Sequence, residues 1–339
     1  MRGRGITYDT GFVARPGHST RRSFDLDVVR REMQVIRTDL HCTAVRVTGG
    51  CQDRLEIAAR DAAEAGLEIW YSPFTCDLTT GELLDFLADS ADRAERLRRD
   101  GAEVVLLTGS ELSLFTVGFL PGDVFDERLA LLAEPHRLRE VLAEVPARVN
   151  DFLGRAVEVV RGRFGGRVSY ASLPLDGVDW APFDIVSSDA GYRNAEIAAG
   201  FRESIRAAVG QGKPLAITEF GCTTHRGAAA KGGRGDAIVE WRADGRALRL
   251  VGEHTRDEQE QATYLRELLD VFTTEGVDSA FANTFARYDL PHHDDPRSDF
   301  DMASYGVVKV FEDRTGETYP GLRWEPKAAF AALADCYRR

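Results

Sequence analysis

The chain has 339 residues, of which 43% are hydrophobic and 29% are charged, the usual composition of a globular protein with a substantial core. Its 43 basic and 55 acidic residues give a net charge of −12. This acidic balance disfavours binding to a phosphate backbone, which needs clustered Lys and Arg, so nucleic acid is not the expected partner.

The cysteines and the amino terminus bear on the compartment. There are 5 cysteines and no Cys-x-x-Cys pair, so neither a disulfide framework nor a zinc site is predicted. Residues 1–12 carry positive charge without the apolar segment of a signal peptide, and no run approaches the roughly 18 apolar residues that cross a bilayer. We therefore expect a cytoplasmic protein with reduced thiols and no membrane contact.

Apolar, β-branched runs alternate with amphipathic segments along the chain, which is typical of β/α units around a parallel sheet. The predicted strands are residues 4–9, 43–47, 67–72, 103–108, 167–172, 184–188, 214–218 and 278–285. The predicted helices are residues 25–39, 51–65, 79–100, 137–163, 195–209, 256–275 and 326–337. Only LPLDGVDWAPF separates strands five and six, so the fifth helix is expected to be missing or vestigial. The pattern predicts an α/β fold of the (β/α)8 TIM-barrel type, because the Gly-rich turn of a dinucleotide-binding sheet is absent.

Two long connections follow strands four and seven, on the side where a barrel carries its active-site loops. Residues 112–136 contain LFTVGFLPGDVF, for which an aromatic lid or simple packing on the barrel is favoured. Residues 223–255 contain two alternating runs around ADG, which predict an inserted β-hairpin. Because no repeat or low-complexity linker interrupts the chain, residues 1–339 are predicted to form a single domain.

Two glutamates stand at predicted strand ends, where side chains of a barrel reach its active site. Glu111 follows strand four in EVVLLTGSELS, and Glu219 closes strand seven in PLAITEFG. Burying an ionised carboxylate is costly unless it is paired or used in chemistry. Two carboxylates across a pocket can cleave a glycosidic bond: one protonates the leaving oxygen, and the other attacks the anomeric carbon or activates water.

The order of these motifs resembles that of the retaining glycoside hydrolases of the (β/α)8 superfamily called clan A. The clan usually has Asn-Glu after strand four, where this chain has Ser110 before Glu111, and TEFG or TEYG at strand seven, where TEFG is intact. Arg46 in AVRVTG, Tyr192 in SSDAGYRN and the tail RWEPKAAFAAL are also similar to clan positions. The resemblance spans nearly the whole chain, and its weight lies in the order and spacing of short motifs.

The resemblance implies a retaining hydrolase of a small or intracellular glycoside or oligosaccharide, with Glu111 as acid/base, Glu219 as nucleophile and no metal or organic cofactor. Arg46 and Tyr192 would keep Glu219 ionised, while the acid keeps its proton in a less polar setting. Ser110 is shorter than the clan's Asn and has one donor instead of two. Either the substrate lacks an ordinary 2-hydroxyl, or another residue binds it.

Other residues near the predicted rim are expected to contact the substrate. Strand eight offers Phe281, Asn283 and Phe285 where the clan often has a tryptophan platform. The further candidate contacts, polar and aromatic, are Asp9, Trp70, Phe74, Phe115 and Asp189.

Several patterns leave alternatives open. Residues 291–301, PHHDDPRSDFD, contain metal-binding residue types without a ligand spacing, so a solvated loop over the pocket is favoured. Cys222 has only His225 nearby in sequence as a base, which makes a thiol nucleophile a minor alternative. The segment FARYDLPHHDDPRSDFDMASYGVVKVF is similar to bacterial proteins called abortive phage infection proteins. Two rival functions therefore stay open: a different reaction of sugar or natural-product metabolism using the same acids, and a barrel that binds a ligand without catalysis.

Overall fold

The computed structural model describes residues 1–338. The strands in this range are Gly3–Asp9 (β1), Ala44–Gly49 (β2), Glu68–Pro73 (β3), Val104–Ser110 (β4), Arg167–Ala171 (β5), Val186–Ser188 (β6), Leu215–Phe220 (β7), Val239–Trp241 (β8), Ala247–Leu250 (β9), Ser279–Ala282 (β10), Val308–Val310 (β11) and Trp324–Pro326 (β12). The helices in the same range are Leu26–Thr38 (α1), Gln52–Glu64 (α2), Thr80–Arg99 (α3), Leu112–Phe115 (α4), Phe125–Leu131 (α5), Pro135–Leu142 (α6), Val145–Arg161 (α7), Phe201–Val209 (α8), Ala228–Lys231 (α9), Glu258–Glu275 (α10) and Ala328–Arg338 (α11).

The main sheet has 8 parallel strands in the order β5, β4, β3, β2, β1, β10, β7, β6. Its two outer strands meet through a parallel bridge between Ser172 and Ser188, and the backbone N–H of Asp189 donates to the Ser172 carbonyl at 3.0 Å. The sheet therefore curls into a nearly closed barrel with helices outside it, and the predicted (β/α)8 fold is confirmed. In this topology the carboxyl ends of all eight strands form one rim.

Local sequence explains where the helices begin and end. Thr79 and Glu82 form a capping box at the start of α3, and Asp25 accepts hydrogen bonds from the first turn of α1. Gly276 ends α10 with φ +88°, a left-handed conformation that glycine adopts without steric cost. Among residues 1–338, no helix is long and apolar enough to cross a membrane.

The structure corrects several predicted boundaries. The helix predicted at 137–163 is interrupted at residues 143–144, because Pro146 begins a new helix more readily than it continues one. The helix predicted at 195–209 begins only at Phe201. The fifth helix is vestigial, as predicted, since only a 3₁₀ turn at Pro174–Asp176 lies between β5 and β6.

The insertion after β7 contains the predicted hairpin, with β8 and β9 paired antiparallel. Its tip packs on the loop that follows β1: a Cβ added at Gly245 would lie 2.9 Å from the Cβ of His18. Gly245 also has φ +81°, so the tip needs glycine for both its conformation and its packing. A second antiparallel hairpin, β11 with β12, was not predicted, because its strands have 3 residues each and a long connection separates them.

The barrel interior is filled below the rim by a compact layer of buried side chains. The layer consists of Ala44, Trp70, Val105, Leu107, Ala171, Ile185, Ala216 and Phe281. The rings of Trp70 and Phe281 lie 4.8 Å apart at their centroids. This packed layer closes the barrel from below, so a ligand can enter only from the loops at the rim.

Candidate active site

A cavity of about 370 Å³ opens at the carboxyl ends of the barrel strands. Glu111 and Glu219 both line it, although they come from opposite parts of the sheet. The other sequence-predicted site residues that line this cavity are Asp9, Phe74, Phe115, Tyr192 and Asn283. We call it the catalytic cavity below, because it brings together the two carboxylates on which the predicted chemistry depends.

Three side chains donate hydrogen bonds to the carboxylate of Glu219. Arg46 Nη1 lies 3.0 Å from Oε1, Tyr192 OH lies 3.0 Å from Oε2, and Asn283 Nδ2 lies 3.2 Å from Oε2. Asn283 also donates to the Tyr192 hydroxyl at 2.7 Å, which orients the hydroxyl hydrogen towards Glu219. These hydrogen bonds fix the carboxylate in one orientation, and those from Arg46 and Tyr192 oppose the rise in its pKa that burial causes.

Arg46 is fully buried, and Glu219 is not its sole anionic partner. Its Nη1 also donates to Asp189 Oδ1 at 2.9 Å, and its Nε donates to Ser72 Oγ at 3.0 Å. Its Nη2 donates to Ser110 Oγ. One guanidinium therefore serves two carboxylates, so its charge compensates Glu219 only in part.

Glu111 has very different surroundings. Among residues 1–338, no hydrogen-bond donor and no cation contacts its side-chain oxygens. Its backbone is held instead: its N–H donates to the Ala171 carbonyl at 2.9 Å, and the next N–H, of Leu112, donates to Tyr170 OH at 2.8 Å. Glu111 has φ +48°, a left-handed conformation that is rare for a residue with a side chain and is concentrated at functional sites.

These surroundings separate the proton affinities of the two acids. Burial raises the pKa of Glu111 well above its ordinary value, and the negative charges of Asp189 and Glu219 raise it further. Burial and the Asp189 charge also raise the pKa of Glu219, to about 7, while Arg46 and Tyr192 oppose the rise. Two carboxyl groups whose environments differ in this way are suited to different roles as acid and as base or nucleophile.

Some predicted substrate contacts do not reach the cavity. Ser110 is 3% exposed, and its hydroxyl is occupied by Arg46 and Asp189. Arg46 likewise supports Glu219 from below the cavity floor. Trp70 lies in the barrel interior and cannot stack on a sugar, and Phe285 packs between Tyr8 and Trp324, away from the cavity. Trp70 and Phe285 cannot make the expected substrate contacts, because their side chains point into the protein, and Ser110 and Arg46 lie below the cavity floor.

The aromatic segment after β4 forms one wall of the cavity. The ring of Phe115 lies 4.8 Å from Phe74 and 4.8 Å from Phe125, and Phe12 stacks on Phe74 at 4.3 Å. Phe12, Phe74 and Phe115 all line the cavity. LFTVGFLPGDVF was expected to form an aromatic lid or to pack on the barrel. Phe115 agrees with the lid, because its ring lines the cavity, whereas Phe119 packs into the main core.

Sequence reasoning missed the residues that the inserted segments bring to the cavity. Trp241 on β8 and Asp236 in the preceding 3₁₀ segment both line it, as do Arg287 and Asp289 beyond β10. Arg287 donates two hydrogen bonds of 2.8 Å to the carboxylate of Asp289. The one sequence signal for these residues was Trp241, an isolated tryptophan within the predicted hairpin. No local pattern predicts that the hairpin lies over the barrel.

The segment PHHDDPRSDFD is solvent-exposed at residues 294–297, as expected of a solvated loop, but its carboxyl-terminal half is held by buried ion pairs. Asp299 and Asp301 are buried and pair with Arg256 at 3.1 and 2.8 Å, and Lys327 lies 3.3 Å from Asp301. His292 Nδ1 also bonds Asp299 Oδ1 at 2.8 Å. In the described part of the chain no cluster of three or more His, Cys, Asp or Glu side chains has the geometry of a metal site. These charges hold the loop to the barrel.

Cys222 and His225 lie outside the catalytic cavity. Cys222 is buried, and burial raises the pKa of its thiol. His225 Nδ1 is occupied by Thr223 Oγ1 and the Met302 carbonyl, each at 3.1 Å. A thiol nucleophile therefore finds no support in this geometry.

The fold is shared with solved glycoside hydrolases. A GH113 β-1,4-mannanase superposes with a TM-score of 0.64 and 15% identity, covering 100% of this chain and 99% of the other. The GH113 β-mannanase AaManA from Alicyclobacillus acidocaldarius, in complex with ManMIm, gives a TM-score of 0.59 and 16% identity, covering 99% of this chain and 97% of the other. The cellulose synthase subunit Z from Clostridioides difficile gives 0.52 and 9%, covering 90% and 99%.

No protein-family model and no curated protein matches the sequence. The comparisons give no support to the similarity with abortive phage infection proteins. At these identities the likeness shows a common (β/α)8 architecture with glycoside hydrolases over nearly the full length of the chain, and function has to be argued from the site itself.

Proposed function

We propose that the protein is a retaining glycoside hydrolase in which Glu219 is the nucleophile and Glu111 is the general acid/base. The observation that carries this proposal is the unequal environment of two carboxylates in one cavity. Glu219 receives three hydrogen bonds, one of them from a buried guanidinium, whereas no donor contacts Glu111 in the described chain. The mechanism needs this inequality, because one acid must attack while the other carries a proton.

In the first step, a carboxylate oxygen of Glu219 attacks the anomeric carbon as Glu111 donates its proton to the leaving oxygen. The raised pKa of Glu111 keeps that proton available near neutral pH. As the glycosyl ester forms, the negative charge on Glu219 is lost and Glu111 becomes ionised. In the second step Glu111 removes a proton from water, and the water oxygen attacks the anomeric carbon and releases Glu219.

Two further residues position the nucleophile. Burial raises the pKa of Tyr192 well above its ordinary value, so its hydroxyl stays protonated and acts as a donor to Glu219. Asn283 fixes the direction of that donation. Asn283 and Glu219 both line the cavity, and the Asn283 amide nitrogen already donates to Tyr192 and Glu219, so its amide oxygen is the atom available to accept from a sugar hydroxyl beside the nucleophile.

A β-linked mannoside or related oligosaccharide is the first substrate class to test. Support comes from the fold shared with GH113 β-1,4-mannanases and from a cavity that combines aromatic faces with charged groups, the usual equipment for sugar rings. The mechanism requires no metal or organic cofactor, and we keep the cytoplasmic location as a prediction. The chain is proposed to work as a single domain.

One observation favours a second candidate function. Because the pKa of Glu219 is raised to about 7, this carboxylate can accept a proton near neutral pH. A barrel enzyme that uses Glu219 as a general base in another reaction of sugar metabolism would exploit the same property. The two functions differ in whether a covalent bond forms between Glu219 and the sugar.

The test uses a panel of nitrophenyl β-glycosides together with Glu219→Gln, Glu111→Gln and Glu111→Ala. We expect each Gln variant to lose about 10³-fold or more in kcat, in line with the loss of a nucleophile or acid/base group. Azide should restore turnover to Glu111→Ala by attacking the glycosyl ester. Glu64→Gln, an exposed residue of α2, is the matched control.

A 2-fluoro glycoside with a good leaving group should label Glu219, detectable as a mass increase on the peptide that contains it. Turnover that persists in both Gln variants contradicts the carboxylate mechanism. If the wild type turns over a substrate, both Gln variants are inactive, and the 2-fluoro glycoside does not label Glu219, the second candidate function is favoured.

A further inference from the structure

A second cavity, of about 700 Å³, lies beside the catalytic cavity. The two meet at His18, Thr20 and Asp289, which line both. Beyond these residues the second cavity runs between the tip of the β8–β9 hairpin and the β11–β12 hairpin. We call it the side groove. A ligand that extends out of the catalytic cavity past His18 enters it directly.

The rim of the side groove carries arginines without anionic partners. Arg22 and Arg323 are exposed, and among residues 1–338 neither side chain has a carboxylate or another acceptor within bonding distance. Arg246, the third rim arginine, differs from these two because it forms an ion pair with Asp244 at 3.6 Å. In a chain with a net charge of −12, this is a local excess of positive charge.

The acids of the groove do not cancel that excess. Asp25 caps α1 by accepting from the N–H groups of Asp27 and Val28. Asp289 is held by Arg287 through two hydrogen bonds, and Glu312 lies 3.7 Å from His293. None of these acids forms an ion pair with Arg22 or Arg323, so the two arginines remain available to an external anion.

The inner surface of the groove is apolar and aromatic. It is formed by Val28, Tyr288, Pro291, Phe300, Val310 and Phe311. Such a surface suits the flat, C–H-rich face of a sugar ring, and the rim suits a charged substituent on that ring. The shape and charge together match an acidic sugar better than a neutral one or a small inorganic anion.

The two cavities differ in the ionisable groups that line them. Asp9, Glu111, Glu219 and Asp236 line only the catalytic cavity, whereas the exposed Arg22 and Arg323 line only the side groove. An anionic substituent therefore finds unpaired cations in the side groove and mostly carboxyl groups in the catalytic cavity. This contrast fixes the direction in which a substrate with one charged end can bind.

The position of the groove also identifies which end of the substrate it receives. Glu111, which protonates the leaving group in the proposed mechanism, follows β4 and lies across the sheet from β1 and β10. The groove opens on the side of the loops after β1 and β10. The leaving group therefore departs away from it, and the groove faces the non-reducing side of the sugar chain.

We propose that the side groove binds the non-reducing end of an oligosaccharide substrate, and that this end carries an anionic group such as a uronate, sulfate or phosphate. The inference rests on the proposed hydrolase function, because the role of Glu111 in that function sets the direction in which the sugar chain binds. It adds a binding site with Arg22 and Arg323 as specificity-determining residues.

The test compares two nitrophenyl β-disaccharides that differ only in the terminal sugar, which is neutral in one and oxidised to the uronate in the other. We expect kcat/KM to be about tenfold higher for the acidic compound, the effect of two partly exposed ion pairs. In Arg22→Gln/Arg323→Gln this ratio should fall close to one. The control, Arg163→Gln/Arg266→Gln, removes two exposed arginines far from the groove and should keep the ratio of the wild type.

Binding gives a readout that does not need turnover. Calorimetry with the neutral and the acidic free disaccharide should show the same preference in the wild type, and added salt should weaken it, because exposed charges are screened. The salt dependence of the wild type also serves if the double arginine variant fails to fold.

The outcomes separate the two proposals. Turnover with no preference for the acidic sugar, or a preference that survives in the double arginine variant, overturns the side-groove proposal and leaves the hydrolase intact. An arginine-dependent binding preference without any glycoside turnover supports the groove and overturns the hydrolase. Absence of both overturns both.

Discussion

The hydroxyl of Ser110 donates to Oδ2 of Asp189 at 3.1 Å, so the residue before Glu111 faces the barrel wall and not the substrate. Both side chains are buried, and both also bond Arg46. Ser110 therefore belongs to the group that supports Glu219 through Arg46. Where the resemblance to clan A would place an Asn, this serine therefore supports the buried cation and is not a candidate contact to a sugar 2-hydroxyl.

Ser110→Ala tests this assignment. Removing a hydroxyl that bonds two buried charged groups should lower the free energy of unfolding by about 1 to 3 kcal/mol. Discrimination between a glycoside and its 2-deoxy analogue should stay at the wild-type value, because Ser110 does not reach the cavity. Urea unfolding and kcat/KM for the two substrates measure these effects. A selective loss of activity on the 2-hydroxy substrate would mean that Ser110 contacts the sugar.

Asp189→Asn should move the pH profile of the proposed hydrolase activity. Asp189 raises the pKa of Glu219 through its charge and also shares Arg46 with it. Without that charge the pKa of Glu219 falls from about 7, and the acidic limb of kcat/KM moves to lower pH by roughly one unit. Asp335→Asn, at an exposed site on α11, should leave the limb unchanged. A limb that stays in place or moves to higher pH contradicts the proposed coupling.

The raised pKa of Glu219 also predicts a pH-dependent stability. The folded state holds this proton more tightly than the unfolded state, whose carboxyl has its ordinary value of 4.5. Protonation therefore stabilises the fold fully below pH 4.5, and this contribution disappears as the pH rises through about 7. The cost at pH 8.5 is on the order of 3 kcal/mol, since each pKa unit corresponds to about 1.4 kcal/mol.

Glu219→Gln is neutral at every pH and should escape that cost. Relative to the wild type, we expect the variant to gain about 3 kcal/mol in unfolding free energy between pH 4.5 and 8.5, measured by urea denaturation at both values. Glu64→Gln on α2 controls for a general effect of removing a carboxylate. If the difference between Glu219→Gln and the wild type is the same at both pH values, Glu219 is not destabilised by its site.

Backbone topology made the positions of the two glutamates predictable. Eight alternating units specify the barrel, and the barrel places every strand end on one rim, so the sequence alone assigns Glu111 and Glu219 to that rim. The conformation of the side chain is a different matter. Trp70 was expected at the rim, yet it lies in the buried layer, because one residue of register decides whether a barrel side chain points inward or outward and how deep it lies.

The contribution of the inserted segments to the site was the hardest part to predict from the sequence. The alternating runs around ADG predicted a hairpin. Its position, however, depends on the contact between Gly245 and His18, which lie far apart in the sequence. No local pattern encodes such a contact. The same is true of Asp189, whose pairing with Arg46 crosses the barrel and is visible only once the sheet is closed.

Trp241, which the hairpin delivers to the catalytic cavity, replaces Trp70 as the expected sugar platform. Trp241→Ala should raise KM by about 5- to 30-fold, equivalent to about 1 to 2 kcal/mol of lost ring contact. The effect on kcat should be smaller, because a stacking platform binds the ground state and the transition state about equally. Trp241→Phe should recover most of the affinity, and Trp180→Ala, where the ring packs on Phe183 outside the cavity, should leave KM unchanged. A wild-type KM in Trp241→Ala would show that the hairpin closes the cavity without contacting the sugar.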